Sequence, residues 1–331
     1  MNSADLLLRP VARADVDALQ GLAAAASPGI GSLRNERAWL AERIERSLQA
    51  FATEDDDISG EETYLFVLEQ QGALIGCSGI SACAGFASRF YSYRNEFVVA
   101  SSPALGLTQR THTLHLCHDL TGSTLLTSFY IAPSAGAAAA ELLSRGRLLF
   151  LQLHAQRFSE RIAAEFPGLL DASGGSPFWD AVGRRFFEMD YPQAEALAGG
   201  RSKAFIADLM PQSPLYVPLL PEAAQRAIGQ LHPDGETPLQ ILLAEGFDAD
   251  SYIDIFDGGP TAEGRLQALR SVRAAGALAD MPDQPCLACS RSRTGFRARV
   301  LAGTQPSATD AADLDLGPHP QAVPLWPAPP P

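Results

Sequence analysis

The chain has 331 residues, 46% of them hydrophobic and 19% charged, which excludes an intrinsically disordered segment and supplies enough apolar matter for a large core. A formal charge of −13 repels phosphate backbones and anionic lipid, so neither nucleic acid nor a membrane is expected as a partner. The five cysteines are odd in number and unevenly spread, as reduced thiols are, and the N-terminus carries no secretory signal pattern, so the expected location is cytoplasmic.

In chain order, Leu6-Leu-Leu-Arg-Pro10 reads as a short strand, and the run from Ala14 to Leu22 as a helix with Asp in its first turn. Tyr64-Leu-Phe-Val-Leu68 and Leu74-Ile-Gly-Cys-Ser-Gly-Ile80 are β-prone runs split by Gln70-Gln-Gly72, a hairpin signal. Thr127-Ser-Phe-Tyr-Ile131 is a further strand ended by Pro133, and residues 137–158 carry apolar side chains at helical spacing. Residues 161–166 follow as a strand. Ser176-Pro-Phe-Trp-Asp180 opens a helix with Ser at the N-cap and Pro at N1, running to about Phe187. Residues 221–246 are Ala-rich and helical, with Gly246 as C-cap, and Tyr252-Ile-Asp-Ile-Phe256 is a strand closed by Gly258-Gly-Pro260. Beyond Ala279 only residues 296–301 read as strand, and the last 25 or so residues read as loosely ordered.

Strand, helices, antiparallel hairpin, central strand, loop and helix together resemble the GNAT acyltransferase fold, an α+β architecture in which a mixed central sheet is flanked by helices. Several phrases narrow the resemblance: Asp119-Leu-Thr-Gly-Ser123, Ser176-Pro-Phe-Trp179, Gly183-Arg-Arg-Phe-Phe187, Lys203-Ala-Phe-Ile-Ala-Asp-Leu-Met-Pro211, His232-Pro233 and Tyr252-Ile-Asp-Ile-Phe-Asp-Gly-Gly-Pro260. In that order, from about Leu8 to about Pro260, they resemble the arginine N-succinyltransferase family. Phe90-Tyr-Ser-Tyr-Arg-Asn-Glu96, Cys117-His-Asp-Leu-Thr121, Leu126-Thr-Ser-Phe-Tyr130 and Tyr216-Val-Pro-Leu-Leu-Pro221 are most similar to its alpha-type chains. The expected organisation is a GNAT-like acyl-CoA-binding domain over 1–210, a family-specific segment over 211–279 and a partly disordered C-terminal extension over 280–331.

The resemblance implies transfer of succinyl from succinyl-CoA to the α-amino group of L-arginine, with L-ornithine as a second acceptor, in arginine catabolism. Succinyl-CoA is then a cosubstrate, with no tightly bound cofactor, and a paralogous beta subunit or a second copy of the chain is the implied partner. A non-catalytic subunit, or a GNAT-type enzyme with another acyl donor, is the alternative reading. The resemblance places His232 as proton donor, and an imidazole suits that task because it exchanges protons near neutrality. In such a fold backbone N–H groups of Phe129, Tyr130 and Ile131 receive the thioester oxygen, with Phe129 where the family usually has Leu.

The loop Ser134-Ala-Gly-Ala-Ala-Ala-Ala-Glu141 is expected to hold the CoA pyrophosphate at the start of the following helix. It has one glycine, Gly136, no cation, and an acid at its end, which disfavours phosphate; Arg145, or Arg147, is the candidate replacement cation. Asp254 and Asp257 are candidates for the acceptor's guanidinium, since a carboxylate accepts two parallel hydrogen bonds from it. His112, His115 and His118, and the lone Cys286-Leu-Ala-Cys289, lack the paired ligand motifs of a zinc site, and no metal is expected.

Overall fold

The opening apolar run forms β1 (Leu6–Pro10), followed by helices α1 (Val16–Ala25) and α2 (Arg37–Ala52) and the hairpin β2 (Thr63–Gln70) and β3 (Ala73–Ser81). The structure, a computed structural model, describes residues 5–26, 32–54, 60–86, 88–198, 209–315 and 320–324. Gln71 and Gly72 both have positive φ (52° and 82°), the hairpin turn whose twist matches that of its flanking strands. β2 is buried on both faces. Tyr64, Phe66 and Leu68 point into one cluster, Leu65 and Val67 into another under α1 and α2, as the two-residue period of a strand requires.

Next come β4 (Ser92–Ser102), β5 (Leu107–Cys117), the central strand β6 (Thr124–Ile131), helix α3 (Ala137–Leu153) and β7 (Arg161–Glu165). The later strands are β8 (Leu215–Tyr216), β9 (Asp248–Ile253), β10 (Pro260–Arg265), β11 (Gly276–Ala277), β12 (Cys286–Cys289), β13 (Ala298–Leu301) and β14 (Gln321–Pro324). Among the described residues they form one sheet in the order β11-β14-β12-β13-β1-β2-β3-β6-β7-β10-β9-β4-β5-β8. Only the β6–β7 pair is parallel; every other strand pair in the sheet is antiparallel. The mixed α+β sheet, flanked by α1 and α2 on one face and α3 on the other, is the expected GNAT-like plan.

Three expectations change. First, the proposed segments share the sheet: β9 and β10 lie between β7 and β4, while β12 and β13 extend it beyond β1. Phe296, at the start of the run read as strand, is fully buried and meets Phe150 edge-on at 5.2 Å in the main core. The stretch read as loosely ordered contains a helix (Ala308–Leu314) and β14; residues 316–319 and 325–331 lie outside the described ones. Second, residues 221–246 form two helices, Glu222–Ala227 and Glu236–Glu245, because Gly229 at φ 68° and Pro233 interrupt the Ala-rich run; Gly246 is the C-cap as expected. Third, the strand expected to reach Phe256 ends at Ile253, where a turn begins. The phrase at 203–211 lies outside the described residues over 203–208.

All five cysteines are free. Cys286 and Cys289 sit three apart on β12 and enter different clusters, on opposite faces, so they cannot share an ion. Among the described residues no group of His, Cys, Asp or Glu is arranged to hold a metal. Burial pushes the Cys77 and Cys289 thiols up to about 12 and Cys286 up to about 11. Only Cys83 is partly exposed. Alkylation of the native chain, read by mass spectrometry, is therefore expected at Cys83 alone, the other thiols reacting after denaturation. Rapid native labelling of Cys77 would contradict this packing. Among the described residues, no helix is long and apolar enough to cross a membrane.

Candidate active site

The parallel strands β6 and β7 pair only at Thr124–Ile162, Leu125–Ala163 and Leu126–Ala164. Beyond Leu126 they separate, while β6 continues to Ile131 bound to β3 alone. Ser128 marks the departure: its φ of 53° is unusual for a residue with a side chain, and the β3–β6 register shifts there. Phe129, Tyr130 and Ile131, expected to receive the acyl thioester, form the free lip of this opening.

His232 stands on the other lip. Past β7, the Phe166 N–H donates to Pro260 O (3.0 Å), on the β10 side, whereas Pro167 O accepts the His232 N–H (2.8 Å). Successive residues of an extended chain direct their polar groups to opposite edges, so the edge of Pro167 that holds His232 is the one facing β6. A bridge between Gly168 and Leu231 extends this pairing. His232 caps the short 3-10 turn Pro233–Gly235, where its Nδ1 accepts the Asp234 N–H (3.3 Å); a neutral ring therefore carries its proton on Nε2. The side chain is 22% exposed, and the Asp234 carboxylate lies 3.7 Å from Nδ1. Burial, chiefly, pushes the Tyr130 phenol above its ordinary range.

Asp254 and Asp257 change role. Both are buried; Asp254 Oδ1 accepts the N–H groups of Phe256 (2.6 Å) and Asp257 (3.3 Å). Asp257 accepts from Gly259 (2.8 Å) and, through Oδ2, from Gly168 (2.8 Å). Their lone pairs hold backbone, and through Gly168 the Asp257 carboxylate fixes the segment on which His232 hangs. A guanidinium ligand role gives way to a positioning one.

Gly136 begins α3 with φ 79° and ψ 170°, a conformation reserved for glycine, and no side chain caps the helix. The first-turn N–H groups of Ala137, Ala138 and Ala139 thus lie at the positive end of a 17-residue helix without a capping side chain, as an anion site requires. Glu141 does not oppose this: it turns inward to Arg145 (2.8 Å), and burial raises its carboxyl above the usual range. Arg145, expected at the phosphates or solvated, is 1% exposed and bonded to Glu245 (2.7 Å), whose carboxylate also accepts from Ser271. It ties α3 to helices Glu236–Glu245 and Arg270–Ala274 instead. Gly136→Ala is expected to add about 1–3 kcal/mol of backbone strain at the loop. The expected reading by calorimetry is roughly tenfold weaker succinyl-CoA binding; unchanged affinity would remove Gly136 from the site.

A family model described as "Arginine N-succinyltransferase beta subunit" matches residues 6–271. The "Arginine N-succinyltransferase subunit alpha" of Pseudomonas aeruginosa is 46% identical over 305 residues, covering 89% of this chain and 90% of that one. The chain belongs to the arginine N-succinyltransferase family. The beta subunit of the same organism is 37% identical over 337 residues, 97% of this chain and 98% of its own length, in keeping with the alpha-type phrases. A solved structure titled as arginine/ornithine succinyltransferase subunit AI from Pseudomonas aeruginosa superposes with a TM-score of 0.84 at 40% identity, over 96% of this chain and 98% of that one.

Sequence reasoning missed what surrounds the β6 bulge. Arg43 on α2 donates to Ser32 O (2.7 Å), Thr127 Oγ1 (3.3 Å) and Ser128 Oγ (2.6 Å), while Arg147 on α3 approaches Gly79 O and Thr127 O, each at 3.4 Å. Arg43 is one of three arginines on α2, and nothing in the local pattern separates it from Arg37 and Arg46. Gly79 offers a signal only in hindsight: a Cβ there would meet Thr127 Oγ1 at 2.8 Å and Arg43 Nη2 at 3.2 Å.

Proposed function

We propose that the chain transfers the succinyl group of succinyl-CoA to the α-amino group of L-arginine, with L-ornithine as a second acceptor, in the cytoplasm as a step of arginine catabolism. The observation that carries this reading is the placement of His232 across the β6–β7 opening from Phe129, Tyr130 and Ile131. Family membership supports the donor and acceptor: the relatives above are named for arginine and for succinyl transfer.

The acceptor's ammonium first loses a proton to solvent, and the lone pair so freed attacks the thioester carbon. The carbonyl oxygen gains the displaced pair and lies against backbone N–H groups on the edge of β6 that β7 leaves open, preorganised donors for the developing charge. Collapse breaks the C–S bond; the new amide nitrogen passes its second proton to His232, and the imidazolium so formed delivers a proton to the departing CoA thiolate, which returns the ring to its neutral form. The α3 N-terminus, opened by Gly136, holds the pyrophosphate.

The protruding β4–β5 hairpin supports a partner subunit of the beta type: Phe97, Val98, Val99, Leu105 and Leu107 are exposed apolar residues along it. Steady-state assay of the purified chain with succinyl-CoA and a panel of amines tests the proposal. The expected result is preference for L-arginine; equal use of amines lacking a guanidinium or a second amine would contradict it.

A further inference from the structure

Several buried or half-buried arginines of this fold face carboxylates. Arg145 has Glu141 and Glu245, Arg299 has Asp310 and Asp313, Arg161 has Glu263, and Arg9 has Asp15 and Glu69. Arg43 and Arg147 differ. Among the described residues every acceptor they reach is neutral: carbonyl oxygens of Ser32, Gly79 and Thr127, and the hydroxyls of Thr127 and Ser128. Each also keeps a buried Nε–H with no acceptor among those residues.

Both cations converge on one place, the β6 bulge. Arg43 reaches the Thr127 and Ser128 side chains from α2, and Arg147 reaches the Thr127 carbonyl from α3, its guanidinium 5.3 Å from the Phe129 ring. Trp39 braces Arg43, whose guanidinium lies 5.2 Å from the indole centre. Arg43, Thr127, Phe129 and Tyr130 all retain partial exposure, whereas Arg147 is 2% exposed. Burial pushes Arg43 down to about 10 and Arg147 down to about 9, the direction expected for cations taken from water without a counter-charge. Holding a charge this way is costly, and an incoming anion recovers the cost.

We infer that Arg43, backed by the charge of Arg147, is a carboxylate-recognition site that receives a carboxylate of the reacting pair at the β6 bulge. The inference rests on the succinyltransferase reading and assigns the residue that tells a dicarboxylic acyl group from a plain one. The bulge adjoins Phe129, Tyr130 and Ile131, where the acyl carbonyl lies in that reading, so the free carboxylate of the succinyl group is the expected occupant. The acceptor's α-carboxylate is the other source of the same chemistry.

Equilibrium binding separates these. Titrate the wild-type chain and the Arg43→Gln and Arg43→Lys variants with succinyl-CoA and with butyryl-CoA, which has the same chain length without the carboxylate. Then titrate each CoA-saturated protein with L-arginine and with agmatine, arginine without its α-carboxylate. If the succinyl carboxylate is the ligand, Arg43→Gln weakens succinyl-CoA by about tenfold or more and leaves butyryl-CoA nearly unchanged. Arg43→Lys falls between, because it keeps the charge and loses the fork. If the acceptor's carboxylate is the ligand, the same pattern appears between L-arginine and agmatine, and the carboxylate site stands with the other occupant. Equal losses for ligands with and without a carboxylate, or no losses in a variant whose melting curve matches wild type, would overturn the inference. A wild-type chain that binds no CoA thioester at all would instead remove the succinyltransferase reading.

Discussion

His232→Ala is expected to lower kcat by about 10²- to 10⁴-fold, the usual contribution of a positioned acid or base. In the proposed reading the α3 N-terminus and not His232 holds the pyrophosphate, so the KM for succinyl-CoA should change little. Stability should fall by less than about 1 kcal/mol, because the lost bond, from the Asp234 N–H to Nδ1, is partly exposed and long at 3.3 Å. His232→Asn distinguishes chemistry from architecture. An Asn oxygen can still accept the Asp234 N–H and keep the 3-10 turn, yet it delivers no proton, so it should be as slow as the alanine variant. A folded His232→Asn chain with near-normal turnover would return His232 to a structural role.

Arg145→Met is expected to destabilise the fold by about 3–5 kcal/mol, the cost of leaving one partner of a buried ion pair uncompensated. Glu245 would remain in the core with Ser271 as neutral donor, and α3 would lose its link to the helices Glu236–Glu245 and Arg270–Ala274. Urea unfolding reads the loss. The double variant Arg145→Met/Glu245→Leu should recover much of it, because a hydrophobic pair of similar volume replaces two desolvated charges. Native protein that survives should bind succinyl-CoA as wild type does; weakened binding at full stability would restore Arg145 to the CoA site.

Much of the central fold was legible because its signals are local. β1, the β2–β3 hairpin with its Gln71-Gly72 turn, β6, α3, and the Ser176 cap each follow from a short stretch of sequence, and Ser176 Oγ accepts the Trp179 N–H as its position implied. His232 was singled out only through a phrase shared with a family, and Gly136 only through the expected phosphate loop. What failed was non-local. Arg145 and Arg147 are two residues apart on one helix, and nothing in the spacing says that one meets Glu245, 100 residues on, while the other meets the β6 bulge. Asp254 and Asp257 have the right chemistry for a guanidinium, but in the turn they build Asp254 Oδ1 and both Asp257 oxygens accept backbone N–H groups. Phe296 opens a run read as strand, but its place in the main core was not legible because its partner Phe150 lies far away in sequence.

The most direct test of the account is thiol release by the purified chain with succinyl-CoA and L-arginine, run beside the His232→Asn variant. Release of one CoA thiol per succinylarginine formed, dependent on both substrates and reduced at least about hundredfold in the variant, is the predicted result. A folded chain that binds succinyl-CoA but releases no thiol, or releases it equally well without His232, would contradict an active site at the β6–β7 opening.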